Sequence, residues 1–282
     1  TGPGGEGVHE RLLAHSARLA QKLYPVGPHA WCFVGNGLSN QTFVRGPEGV
    51  IVIDTGECIE EMEAALTAFR EVCADPVVAC VYSHFHYLGG TKALLAEAPE
   101  LAIWGHGGIP GNLRRFSGEV GPRGSRGLAH QFGVLLPDGG PEGLVNVGLG
   151  RFFRNPGHAP FTPGYVPAQH EFVEPTETTL GGLEVHFLPA PSDATDSITI
   201  WFPALKLAVN NLLWPALFNV FAIRGEEYRD PRILLKGLDE LGALGATHLA
   251  GAHGPPLEGA ARIAETIERY RDSIQFLCMF AF

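Results

Sequence analysis

His84 and His86 stand two residues apart in Tyr82–Gly90, YSHFHYLGG, where an apolar run ends and a helical pattern begins. At an extended strand end, side chains at i and i+2 point the same way, so two imidazoles can grip one ion. Further donors follow at other predicted strand ends. Asp193 lies in the turn of LPAPSDATDSITIWFP, Asn210 and Asn211 close an apolar strand, and His253 follows ATHLAGA. His84, His86, Asp193 and His253 are the candidate metal ligands, with zinc as the ion and one ion at most. Three protein ligands plus an open position form the pattern of a catalytic zinc, which lowers the pKa of bound water to ~7 or polarises a carbonyl. Without metal, His84, His86 and His253 are candidate acids or bases, because histidine titrates near neutrality. Tyr87 adjoins them as a further catalytic candidate. Each residue also has a plainer reading. The histidine pair could be packing, Asp193 or Asp196 a turn carboxylate, Asn211 a loop start, and His253 a local hydrogen-bonding group.

Aromatic residues accompany these donors. Phe85, Tyr87, Trp214, Phe218 and Phe221 could line an apolar substrate pocket or serve as core packing. Arg224 is the candidate anchor for an anionic group, and Asn211 and Asn219 are polar candidates beside it. The implied partner is a small organic molecule.

The elements that must position these groups alternate. A helix is expected over 8–23, from Leu12, Leu13, Ala17, Leu19 and Leu23 on one face. AWCFV, QTFVRG and GVIVIDTG read as strands, 58–73 as a helix, VVACVYS as a buried strand, TKALLAEA as a helix and LAIWGH as a strand. LEVHFLPA, SITIWFP and LKLAVNN are further strands. PRILLKGLDELGAL is a helix with Pro231 near its first turn, ATHLAGAH a strand ending in His253, and PLEGAARIAETIERYRDSI a last helix. This order indicates an α/β layer architecture: two β-sheets packed face to face, helices outside, in one domain over 1–282. Residues 107–175, rich in Gly, Pro and Arg with weak periodicity, read as a long loop-rich insertion covering one side of the site. Arg114, Arg115, Arg123 and Arg126 fall there and read as a solvated loop.

Composition bounds the function. Of 282 residues, 45% are apolar, which is globular rather than disordered. A net charge of -10 gives no electrostatic footprint for nucleic acid. Five cysteines, an odd number with no C-x-x-C pair, argue against a disulfide framework and a cysteine zinc site, and for free thiols in a reducing, cytoplasmic setting. The start lacks a signal-peptide pattern and no apolar run nears the ~20 residues of a membrane span. The oily end, SIQFLCMFAF, is expected to pack on the body or on a second subunit, as in a homodimer.

The order VIDTG, helix, VYSHFHYLGG, SDATDSI, FNVFAIRGEEYRDP, AGAHGPP resembles the metallo-β-lactamase fold, and within it the alkylsulfatase branch. The resemblance implies an αββα sandwich of two mixed sheets and hydrolase or lyase chemistry, over about 30–253. The family motif is H-x-H-x-D-H-x-G-G with two zinc ions. On this sequence His84 and His86 match the first histidine pair, Asp193 a zinc-binding glutamate, His253 the late histidine and Arg224 the sulfate arginine. An alternative register, counted back from Gly89-Gly90, puts Tyr87 and His86 on the second pair and leaves His84 alone in the first. In the preferred register two residues are missing before Gly89, so the Asp-His pair has no counterpart. Asn211 replaces a bridging glutamate and Phe218 a sulfate-site histidine. Alkylsulfatase activity is therefore not carried over. The expectation is a divergent hydrolase, in the style of bacterial secondary metabolism, with one zinc or none. The alternatives are a metal-free enzyme or a non-catalytic binder on the same fold.

Overall fold

The structure, a computed structural model, describes residues 1–137, 139–214 and 229–280. The pocket candidates Phe218, Asn219, Phe221 and Arg224 lie outside the described residues.

Two mixed sheets carry the molecule. The first orders β1 (Lys22–Val26), β2 (Ala30–Val34), β3 (Gln41–Gly46), β4 (Gly49–Ile53), β5 (Val77–Val81), β6 (Ala102–His106) and β7 (His170–Phe172) side by side. Its first four strands are antiparallel and β4 to β7 run parallel. The second contains β8 (Thr176–Leu180), β9 (Leu183–Pro189), β10 (Ile198–Phe202), β11 (Leu207–Asn210), β12 (His248–Gly251) and β13 (Leu257–Glu258), with β11 and β12 parallel. The helices are α1 (Glu10–Arg18), α2 (Ile59–Arg70), α3 (Thr91–Glu97), α4 (Ile109–Arg115), α5 (Gly121–Gln131), α6 (Pro231–Ala243) and α7 (Ala260–Phe280).

The pleat explains why β4 and β10 are apolar throughout. On β4, Ile51 and Ile53 turn inward to meet Phe187, Ile198 and Ile200 of the second sheet. Val50 and Val52 alternate outward, under Met62 and Phe69 of α2. Phe43 stacks on Phe69 with ring centroids 4.1 Å apart. On the far side, Trp201 and Ala208 pack under Leu238 and Leu241 of α6 and Ile263 and Ile267 of α7. Each sheet is thus covered on both faces, giving the layer order helix, sheet, sheet, helix.

Four local expectations are corrected. The first helix ends at Arg18, and Leu23 belongs to β1, which forms a hairpin with β2. Pro25 biases Tyr24 to an extended backbone, and strand pairing overrides the helical spacing. Residues 107–175 are not loop throughout: α4 and α5, joined by a π-helical turn at Phe116–Val120, occupy 109–131. Each starts with proline in its first turn, and interspersed glycines hide the helical period. The strand before His253 stops at Gly251, and the last helix runs on to Phe280. Among the described residues no helix is long and apolar enough to cross a membrane.

Candidate active site

The two sheets deliver their loops to one end. Asp54 follows the last residue of β4, and its left-handed backbone (φ 59°) is tolerated by aspartate. There its carboxylate accepts from the Ser83 N–H (2.8 Å) and from Ser83 Oγ (2.6 Å), tying together the ends of the adjacent strands β4 and β5. With its proton given to Asp54, Ser83 Oγ accepts from His84 Nδ1 at 2.8 Å. Burial raises Asp54 to about 7; with Asp54 ionised, the chain places the His84 proton on Nδ1 and leaves Nε2 with a lone pair facing the site. Residues 83–87 are not extended; the chain turns, and the His84 and His86 rings meet edge to face with centroids 5.0 Å apart. The pair converges through this turn rather than through strand alternation.

The Gly89-Gly90 pair has a steric cause. A Cβ on Gly89 would lie 2.1 Å from the Glu57 carbonyl oxygen, and one on Gly90 2.2 Å from that of Thr55. The motif loop packs this tightly on the loop after β4, so side chains are excluded.

His86 Nδ1 is 3.2 Å from Asp193 Oδ2. Burial acts to raise the Asp193 pKa, but His86, with His84 and Arg229 adding, holds it well below the usual carboxylate range. Burial lowers His84 to about 3, so its imidazole is neutral at pH 7. His253 is likewise lowered by burial, to about 4. Its Nδ1 donates to the Leu38 carbonyl (3.0 Å), and its Nε2 accepts from the Tyr87 hydroxyl (3.3 Å).

The donor atoms of His84, His86 and Asp193 all lie within 4.8 Å of one another. Tetrahedral zinc with bonds of ~2.0–2.2 Å needs donors roughly 3.5 Å apart, so this set suits one ion. His253 does not join that group. Asn211 is buried beside it: its Nδ2 donates to Asp193 Oδ1 at 2.6 Å and lies 3.3 Å from His84 Nε2 and from Ser192 Oγ. Its Oδ1 accepts from Trp214 Nε1 at 2.9 Å. Trp214 and Tyr87 line a cavity in which Asn211 takes no part.

A cavity of about 400 Å³ opens above this cluster. His86, Tyr87, Asp193 and Trp214 meet it from the sheet ends, and Leu128, Phe132, Leu149 and Phe153 line it from the insertion. Phe132 and Phe153 stack with centroids 4.7 Å apart. Polar and charged groups share the wall from the loops and the insertion: Glu57, Ser125, Gln131 and Arg154. Burial raises Glu57 to about 7 against the pull of Arg154 and His86. Phe85 instead faces a smaller hollow of about 170 Å³, which His86 and Asp193 also touch.

Sequence reasoning missed Glu57, Arg154, Phe132, Phe153 and the Asp54–Ser83–His84 chain. Glu57 had one signal, its place three residues after the Asp54 that follows β4. The insertion residues had none, since their segment shows no period.

With this geometry in view, the comparisons are decisive for the family. The metallo-beta-lactamase superfamily pattern matches residues 34–209. The chain belongs to that superfamily. It is 31% identical over 242 residues to a linear primary-alkylsulfatase of Pseudomonas sp. (strain ATCC 19151), covering 83% of this chain and 45% of the relative. It is 28% identical over 281 residues to an (R)-specific secondary-alkylsulfatase of Pseudomonas sp., covering 94% and 42%. The fold superposes on a double mutant of the sec-alkyl sulfatase PisA1 with TM-score 0.86 at 24% identity, over 96% of this chain and 44% of that one. A metallo-beta-lactamase from Pontibacter korlensis matches with TM-score 0.56 at 16% identity, over 90% and 99%. The metallo-beta-lactamase-like, two-sheet fold and the alkylsulfatase-like branch are thereby established. The chain spans less than half the length of these curated alkylsulfatases.

Proposed function

We propose that the chain is a hydrolase-type domain acting on an amphipathic small molecule, an ester with an apolar tail and an anionic end, with at most one zinc ion. The observation that carries this reading is the cavity: an apolar chamber of about 400 Å³ with His86 and Asp193 on its wall. Ligand sites of this size are apolar with a few convergent polar groups. Leu128, Phe132 and Phe153 would take the tail, and Arg154 the charged end. His84, His86 and Asp193 would hold the ion, which when bound supplies a Lewis acid and an activated water. Glu57, raised by burial to about 7, can take or give a proton at its carboxyl group near neutrality.

The related proteins are named for sulfate ester hydrolysis. This chain keeps the first histidine pair and lacks the Asp-His pair, so we propose a reaction other than alkyl sulfate hydrolysis. A panel of medium-chain carboxylic, phosphate and sulfate esters, assayed by mass spectrometry, tests the reading. Turnover of a non-sulfate ester is expected, with kcat lost in Asp193→Ala and KM raised about 10-fold in Phe153→Ala, the cost of a truncated apolar contact of ~1.4 kcal/mol. Binding without turnover would favour the non-catalytic reading. No binding of any apolar-tailed ligand would sink the proposal.

A further inference from the structure

Two independent contacts fix how the Asn211 amide is turned. The Trp214 indole N–H is a donor only; it is shared between the Asn211 backbone carbonyl at 3.2 Å and a side-chain atom at 2.9 Å, which is therefore the amide oxygen. The amide NH2 therefore faces the other way, 2.6 Å from Asp193 Oδ1 and 3.3 Å from His84 Nε2. With Asp54 ionised, the Asp54–Ser83–His84 chain gives the same result from the other side. His84 Nδ1 carries the proton, so Nε2 accepts. Asn211 is 1% exposed and the Asp193 side chain 5%, so these bonds are largely shielded from bulk water. The two N–H groups thus face lone pairs that a metal would use.

We propose that Asn211, held by Trp214, is a built-in competitor of the metal ion: it completes the His84–Asp193 cluster by hydrogen bonding and makes zinc binding weak. The inference rests on the cluster reading given above and adds what limits occupancy. For an ion to bind, Asn211 must give up its bonds to His84 and Asp193. Turning the amide so that its oxygen faces the ion would set an N–H against the Trp214 N–H. Outer groups that orient metal ligands change affinity by about 10–100-fold, normally in its favour; here the N–H groups occupy the ligand lone pairs themselves, so the sign is reversed.

Zinc alone is the probe, titrated into the full chain against a chromophoric chelator, with metal content measured after dialysis. The wild-type chain is expected to retain well under one equivalent. Asn211→Ala, which removes the donors without adding a ligand, should bind at least about 10-fold more tightly. Trp214→Phe, which frees the amide to turn, should move in the same direction. His84→Ala should abolish binding in both backgrounds, with far-ultraviolet circular dichroism confirming each fold. If Asn211→Ala and Trp214→Phe bind no more tightly than wild type, or if wild type keeps a full equivalent through dialysis, the competitor role is overturned. If zinc binding survives His84→Ala, the cluster reading itself is wrong, and the two failures are distinguishable.

Discussion

Ser83→Ala isolates the joint on which the site is built. Its hydroxyl sits between Asp54 Oδ2 (2.6 Å) and His84 Nδ1 (2.8 Å), and all three residues are at most 2% exposed. Removing the hydroxyl leaves two buried polar groups short of a partner. Each such orphan costs about 1–3 kcal/mol, so a loss of roughly 3–4 kcal/mol is expected. At about 2–4 °C per kcal/mol for a chain of this size, Tm should fall by about 6–15 °C. The assay is urea and thermal unfolding of wild type, Ser83→Ala, Asp54→Asn and the double variant. Asparagine also tolerates the φ of 59° at position 54, so Asp54→Asn tests the hydrogen bond rather than the backbone. A coupling energy of about 1–3 kcal/mol between the two sites is expected. A Ser83→Ala loss under about 1 kcal/mol, or coupling within about 0.5 kcal/mol of zero, would refute the reasoning.

Other consequences are as direct. Burial raises Glu61 from 4.5 to about 8, with Glu57 adding; because the folded value exceeds the unfolded one, the stability it contributes is present at low pH and is lost as pH rises toward 8. That amounts to about 2 kcal/mol between pH 6 and 8, and urea unfolding of Glu61→Gln should show a correspondingly flatter pH dependence. Gly89→Ala places a Cβ 2.1 Å from the Glu57 carbonyl oxygen, so the loop must shift. A loss of about 2–4 kcal/mol by chemical unfolding is expected. Arg154→Met should weaken binding of an anionic amphiphile about 5–10-fold at low salt. An uncharged analogue should bind unchanged, as read by calorimetry.

The fold was legible because burial on both faces writes continuous apolar runs: GVIVI, VVACV and ITIWF could each be only a covered strand or a buried helix segment, and their length decided. His84, His86 and Asp193 were legible as residue types at strand ends, though the reason given for the histidine pair was wrong in detail. The cavity wall was not legible. Phe132, Phe153 and Arg154 reach the site from a segment whose glycines and prolines break every period. Asn211 was visible as a departure from a bridging glutamate, but its effect was not. A buried amide is both donor and acceptor, and the direction it presents is set by Trp214, a contact that spacing alone does not reveal.

We propose that the same contacts tie the residue at 211 to metal occupancy through charge balance. The cluster has one carboxylate, Asp193, and its charge is already met by His86, Arg229 and the Asn211 amide. A second carboxylate at 211 would be a buried negative charge 2.6 Å from the first unless a cation entered with it. Asn211→Asp should therefore be destabilised without metal, by about 3–5 kcal/mol for an uncompensated buried charge. Added zinc should then restore stability, by about 2.7 kcal/mol at a hundredfold excess over Kd, where the same zinc moves wild type little. Thermal unfolding with and without zinc, beside a chelator control, measures both. Equal stability of Asn211→Asp and wild type in chelator, with no zinc-dependent shift in either, would mean that charge balance does not govern this site.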